Sequence, residues 1–430
     1  VTTSDDVTFV SLGLSGPLLR ALEELGHERP RAIQAAVISA ILDGRDVWAS
    51  AETGSGKTAA FVLPLLEKLG TQRRATTPGR PRPLRALILV PTRELAAQIG
   101  EAIDDYARHL PERPKTCIAF GGVSINPQLM SLRGGADIVV ATPGRLLDLV
   151  SHNALRLASV EMLVLDEADR LLSLGFADEL ARVLSLLGRR QTLLFSATFP
   201  PAVRALAEKV LAAPLRIDVA RETVLGSPDA NIVQRAIEVD ETKRTPLLRH
   251  LLATEGWSRV LVFVESRHSA NHVAEKLQRA QIAAAPFHGD LTQGTRTTTL
   301  EAFKDERLQV LVATDVASRG IDITALPAVV NYDLPRSAAD YVHRIGRTGR
   351  AGEKGVAVSF VTPDAEPHFR LIEKRHRIRV ERERIAGFEP TPRDPAAASA
   401  APVRDPHGGV KGKRKSKKDK LREAAARAAK

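Results

Sequence analysis

Short apolar runs recur along most of this chain with amphipathic stretches between them, and that alternation leaves few architectures open. One series is Asp46–Ser50, Ala86–Val90, Thr116–Phe120, Asp137–Ala141, Met162–Leu165 and Gln191–Phe195; a second is Val260–Val264, Ala283–Phe287, Val310–Ala313, Ala328–Asn331 and Val356–Val361. Near-continuous hydrophobic runs, each followed by a helix-like or turn segment, are what strands buried on both faces look like when helices cover a parallel sheet. The expected fold is α/β, with one unit echoing the other. Arg221–Asp229 has loop composition and separates the two series. The expected organisation is residues 1–218, a linker at 219–230, a second unit at 231–390 and a tail at 391–430.

At 430 residues the chain exceeds what a single core serves and suits two domains. No apolar run approaches the roughly 20 residues of a membrane span, and the opening VTTSDDVTFV does not read as a secretory signal. A cytoplasmic protein without membrane contact is expected. The single cysteine, Cys117, excludes an internal disulfide or a cysteine-built zinc site and reads as a buried core residue. Charge is uneven: the net is +11, and residues 391–430 alone hold 12 Lys and Arg against 4 Asp and Glu. Like charge at the density of Lys411–Lys418 repels itself, so the tail is expected to be disordered and to bind a polyanion by releasing its counterions.

Ala51–Thr58 reads AETGSGKT, between a run that ends near Ser50 and the helix-like Ala59–Leu63. In that context it is a phosphate loop. Ala51, Glu52, Thr53 and Ser55 shape the turn, and Gly54 and Gly56 let backbone N–H groups approach phosphate oxygens. Lys57 reaches the β and γ phosphates of ATP, and the Thr58 hydroxyl can hold Mg²⁺. Asp166 and Glu167 follow the Met162–Leu165 run, at the strand end where ligands of open α/β sheets collect. An acidic helix start alone would explain such a pair; with the phosphate loop upstream, Asp166 reads as the Mg²⁺ carboxylate and Glu167 as the base that orients and deprotonates water. Far downstream, His343–Arg350 reads HRIGRTGR and spaces Arg347 and Arg350 on one face if helical.

These strings together resemble the DEAD-box ATP-dependent RNA helicase family over about residues 9–361, and its bacterial RhlE-like branch in Phe120–Gln128 and Gly387–Pro390. The resemblance implies two tandem RecA-like domains. It implies that Phe9, His27 and Gln34 serve the adenine, where the family usually has an aromatic at the His27 position and a threonine at the Arg31 position. Asp322 is implied near the ribose, and Arg347 and Arg350 as arginine fingers. Asp169, Ser196, Thr198, His343 and Arg344 would couple hydrolysis to strand separation. Pro91, Thr92, Arg93, Gly122, Thr142, Arg145, Arg296 and Thr314 would hold single-stranded and duplex RNA without reading its sequence. The implied activity is RNA-dependent ATP hydrolysis that unwinds or remodels RNA locally, by a monomer acting on RNA in ribosomal or RNA-decay assemblies. A translocating DNA helicase is disfavoured by Gln34 and by the Asp166–Asp169 tetrad. An ATP-gated RNA clamp uses the same residues and stays open.

Overall fold

The structure, a computed structural model, describes residues 7–51, 55–71, 81–218, 231–318, 323, 325–349 and 354–391. The apolar runs form strands. In the first half these are β1 (Val47–Ser50), β2 (Ala86–Leu89), β3 (Thr116–Ala119), β4 (Ile138–Ala141), β5 (Met162–Leu165), β6 (Gln191–Ser196) and β7 (Leu215–Asp218). The second half has β8 (Ile232–Glu238), β9 (Val260–Val264), β10 (Ala284–Phe287), β11 (Val310–Thr314), β12 (Ala328–Asn331), β13 (Gly355–Val361) and β14 (Arg382–Glu383). Each half is one seven-stranded sheet, ordered β3-β4-β2-β5-β6-β1-β7 and β10-β11-β9-β12-β13-β8-β14. Every pairing in both is parallel. The two orders are the same when the second is renumbered from one, so the echo expected from the sequence extends to connectivity.

Period-two alternation sends each strand's side chains into two cores. On β2, Ala86 and Ile88 enter one while Leu87 and Leu89 enter the other; on β9, Val260, Val262 and Val264 oppose Leu261 and Phe263. Helices seal both faces, which is why these strands are apolar throughout. Cys117 is buried, as expected, with Sγ 3.1 Å from the Ser131 hydroxyl. Three strands lie outside the apolar series. β7 and β14 are edge strands with half-exposed or exposed residues, and β8 carries Gln234 and Arg235 amid its apolar positions. Charge at a sheet edge blocks unwanted pairing, and it also hides the strand from a hydrophobic pattern. Arg235 spends its charge on Glu383 of β14 and on Glu255 at 2.7–3.1 Å.

Strand order decides what meets what. β5, β6 and β1 are neighbours, with Ser50 beside Ser196 in register and Leu165 beside Leu194, so the segments leaving all three strands emerge together. β3, β4 and β2 form the other half of that sheet and release Phe120, Thr142 and Pro91 side by side. Among the described residues no helix is long and apolar enough to cross a membrane.

Candidate active site

Lys57 opens the Lys57–Thr71 helix and is buried, its ammonium donating to the Ala51 carbonyl at 3.0 Å. Ala51 in turn donates its N–H to the Ser196 carbonyl at 3.1 Å, tying the loop to the end of β6. Gly56 has φ +92, and a Cβ there would stand 2.5 Å from Gln34 Nε2. The backbone conformation favours glycine here. Gln34 closes over the loop by donating to the Gly56 carbonyl at 3.2 Å while its Oε1 accepts from the Arg31 N–H at 2.9 Å. Ser55 and Thr58 stand half-buried beside it. A helix start carrying a lysine and a hydroxyl is a site for phosphate. Glu52, Thr53 and Gly54, named from the sequence, lie outside the described residues.

Asp166 leaves β5 fully buried, and burial pushes its carboxyl up to about 6 despite the nearby Lys57 cation. One oxygen accepts the Glu167 N–H at 2.9 Å. Glu167 itself is held in the left-handed region, at φ +50 and ψ 52, which costs a non-glycine residue about 1–3 kcal/mol. Two residues on, Asp169 donates its N–H to Ser196 Oγ at 3.2 Å and accepts from Thr198 Oγ1 at 2.6 Å; Ser196 Oγ closes the ring on the Thr198 carbonyl at 2.7 Å. Asp169, Ser196 and Thr198 are thus one network. Among the described residues no three His, Cys, Asp or Glu side chains converge as a metal cage. A buried carboxylate and a nearby hydroxyl fit Mg²⁺, which keeps most of its coordination for water and substrate phosphates.

Two ion pairs cross from the first sheet's elements to the second's. Arg170, next after Asp169, donates to Asp340 at 2.9 Å and to His343 Nδ1. Burial, then the Arg170 cation, pulls His343 down to about 4, so it is a neutral acceptor at physiological pH. Arg347 is buried and close enough for its charge to bear on His343. Arg344 points into its own unit, pairing with Asp315 at 2.6 and 2.7 Å and with Asn331 at 3.0 Å; it braces the helix that carries His343. Arg350 and Asp322 lie outside the described residues. The second crossing pair is Glu94 with Arg296, at 2.8 Å with both side chains nearly enclosed. Arg296, assigned from sequence to RNA, is buried against Phe287 and donates to the His288 and Ala317 carbonyls, so its charge belongs to the junction.

Near that junction stand the other residues assigned to RNA. Thr92 caps the Arg93–Tyr106 helix, accepting from the Leu95 N–H at 3.3 Å, and Thr142 precedes the Pro143–Ser151 helix. Gly122, at φ +80, lies under Arg93, whose guanidinium comes within 3.3 Å of where a Cβ would stand. Arg145 donates to the Val123 carbonyl at 2.7 Å, leaving Nε and Nη1 without a hydrogen-bond partner. Pro91 and Thr314 are buried at the ends of β2 and β11. Helix starts, glycine and arginine charge suit a phosphate backbone and carry no base-reading surface.

The adenine assignments divide. Gln34 is at the loop. Phe9 is a core side chain, 5% exposed among Leu12, Leu14 and Leu18, and supports the segment from within. His27 packs on Tyr106, centroids 6.1 Å apart, and burial together with Arg31 lowers its pKa.

Comparison with known proteins agrees with this geometry. The DEAD/DEAH box helicase model matches residues 31–206, and the helicase conserved C-terminal domain model matches residues 243–352. The chain is similar to the DEAD-box ATP-dependent RNA helicase CshA of Bacillus cereus, 41% identical over 377 residues, covering 87% of this chain and 69% of that protein. The enzyme of the same name from Bacillus subtilis is 39% identical, with 87% and 74% covered. Among solved structures, S. cerevisiae Dbp5 bound to RNA and ADP BeF3 superposes with a TM-score of 0.74 at 31% identity, covering 88% of this chain and 95% of that one.

Proposed function

The chain belongs to the DEAD/DEAH box helicase family, and from that membership we propose residue roles for an ATP-dependent RNA helicase. The enzyme hydrolyses ATP and couples that turnover to local unwinding or remodelling of RNA. Residues 1–218 and 231–390 act as its two lobes, joined by 219–230. Lys57 and the backbone N–H groups at the start of its helix bind the triphosphate, and Gln34 meets the adenine edge. Glu167, fixed by its left-handed backbone, orients the attacking water and takes its proton. Asp166 and Thr58 would hold Mg²⁺ together with the phosphates, where the ion would supply charge neutralisation. Arg347 and Arg350 deliver cations from the second lobe, a contribution worth about 10³–10⁵ in rate for fingers of this kind. Asp322 meets the ribose.

RNA backbone lies along Pro91, Thr92, Arg93, Gly122, Thr142, Arg145 and Thr314, and the basic tail adds sequence-independent affinity. The runs Phe120–Gln128 and Gly387–Pro390 favour the RhlE-like branch. A monomer acting in the cytoplasm, on RNA of ribosomal or RNA-decay assemblies, completes the reading.

The observation that carries this reading is the convergence of Lys57, Asp166 and the Asp169–Ser196–Thr198 ring on one strand edge, with Arg170 crossing from it to His343. Glu167→Gln is expected to bind ATP and RNA normally and to hydrolyse at least a hundredfold more slowly. Lys57→Ala is expected to lose ATP binding. Unchanged turnover in both variants contradicts the assignment.

A further inference from the structure

Arg31 occupies the position before the Ala32–Leu42 helix, where the helicase family usually has a threonine. Its backbone is extended, at φ −70 and ψ 160, and its N–H is held by Gln34 Oε1 at 2.9 Å. That anchor directs the side chain toward the phosphate loop: Arg31 Cδ lies 3.0 Å from where a Cβ on Gly56 would stand. The aliphatic stem therefore runs across the residue immediately before Lys57, and Gly56 has no side chain to lift it away. Beyond the stem, the charge reaches the His27–Tyr106 ring pair, lowering the pKa of His27 and opposing the rise that burial imposes on Tyr106. Arg31 as a whole remains exposed. A stem held against the residue before Lys57, on a side chain exposed overall, brings a further cation to a phosphate cradle, and arginine's planar fork suits phosphate oxygens.

We propose that Arg31 is a nucleotide-binding residue that contacts the phosphates of the bound nucleotide, so that this chain draws more of its affinity from the polyphosphate than one carrying a hydroxyl there. The proposal rests on the nucleotide site assigned above. It separates two roles at one helix start: Gln34 reads the base, and Arg31 adds charge without reading it. Affinity for every nucleoside diphosphate rises by the same factor, and the preference for adenine is untouched.

The test is competition against a fluorescent ADP on the full-length chain, with adenosine, ADP, ATP and GDP as competitors at low and high salt. Arg31→Thr is expected to weaken ADP, ATP and GDP each by about fivefold at low salt, as loss of one exposed charge contact does. Adenosine binding stays within twofold, and the ADP deficit shrinks at high salt. Arg31→Glu, which inverts the charge at an exposed position, is expected to weaken ADP further than Arg31→Thr. Equal losses for adenosine and ADP assign Arg31 to the base and overturn the proposal. So do unchanged affinities, or equal effects of Thr and Glu. Lys57→Ala in the same assay checks the site itself: normal ADP binding there overturns the nucleotide site, whereas a normal Arg31→Thr with a dead Lys57→Ala overturns Arg31 alone.

Discussion

Asp166 shows what the site demands of a single residue. Burial opposes its charge and pushes its carboxyl up to about 6, well above the usual carboxylate range. A raised carboxyl pKa means that ionisation costs the folded state. The cost is absent below about pH 4, grows as pH rises to about 6 and is constant above that, at on the order of 3 kcal/mol. The nucleotide-free Asp166→Asn protein is therefore expected to melt several degrees higher than the parent at pH 7.5 and at the same temperature at pH 4, while losing Mg²⁺-dependent hydrolysis. Equal melting temperatures at pH 7.5 contradict the account. Stability lost to a functional charge is a familiar trade. The same titration predicts that Mg²⁺–nucleotide affinity of the parent falls as pH drops through about 6. His343 acts on stability in the opposite sense: its depressed pKa leaves the junction at full strength above its usual 6.5, and that stability declines on the way down to about 4. Neither value is readable from sequence, since both come from enclosure by distant segments. Nor is the left-handed backbone of Glu167, a conformation that glutamate disfavours.

At the level of elements, the two crossing ion pairs fix how the sheets' loops meet. Glu94 starts the helix after β2 and Arg296 lies in the first turn of the Gln293–Lys304 helix after β10, so the pair links the RNA-side halves of both sheets. Truncating one member of an enclosed pair leaves the other charge buried and costs about 3–5 kcal/mol. Arg296→Ala is expected to reduce the closed population, read as a rise in interlobe distance by energy transfer, and to cut RNA-stimulated hydrolysis at least tenfold. The Glu94→Ala, Arg296→Ala double variant recovers part of the closure because no lone charge remains. A double variant as open as the single one contradicts the pairing. The apolar strands were legible because burial on both faces leaves no polar position to obscure the pattern, as in Val260–Val264. β7, β8 and β14 were not, because edge placement and the Arg235–Glu383 pair put charge in the strand. Motif strings located Lys57, Asp166 and Ser196 within one sequence each. They could not show that Arg170 meets His343, 173 positions away, or that Arg296 faces Glu94.

For the whole molecule, the same strand order is used twice, and the crossing ion pairs join the two halves, one beside the residues proposed for the phosphates and the other beside those proposed for RNA. Nucleotide and RNA each gain contacts when the halves close, so each raises the other's affinity by the same factor. The measurement that tests this most directly is a pair of fluorescence titrations on the intact chain: single-stranded RNA with and without a non-hydrolysable ATP analogue, and the analogue with and without RNA. The account predicts that both affinities rise more than tenfold and by equal factors, and that single-stranded DNA produces a smaller rise. Affinities that are the same whether or not the second ligand is present contradict it.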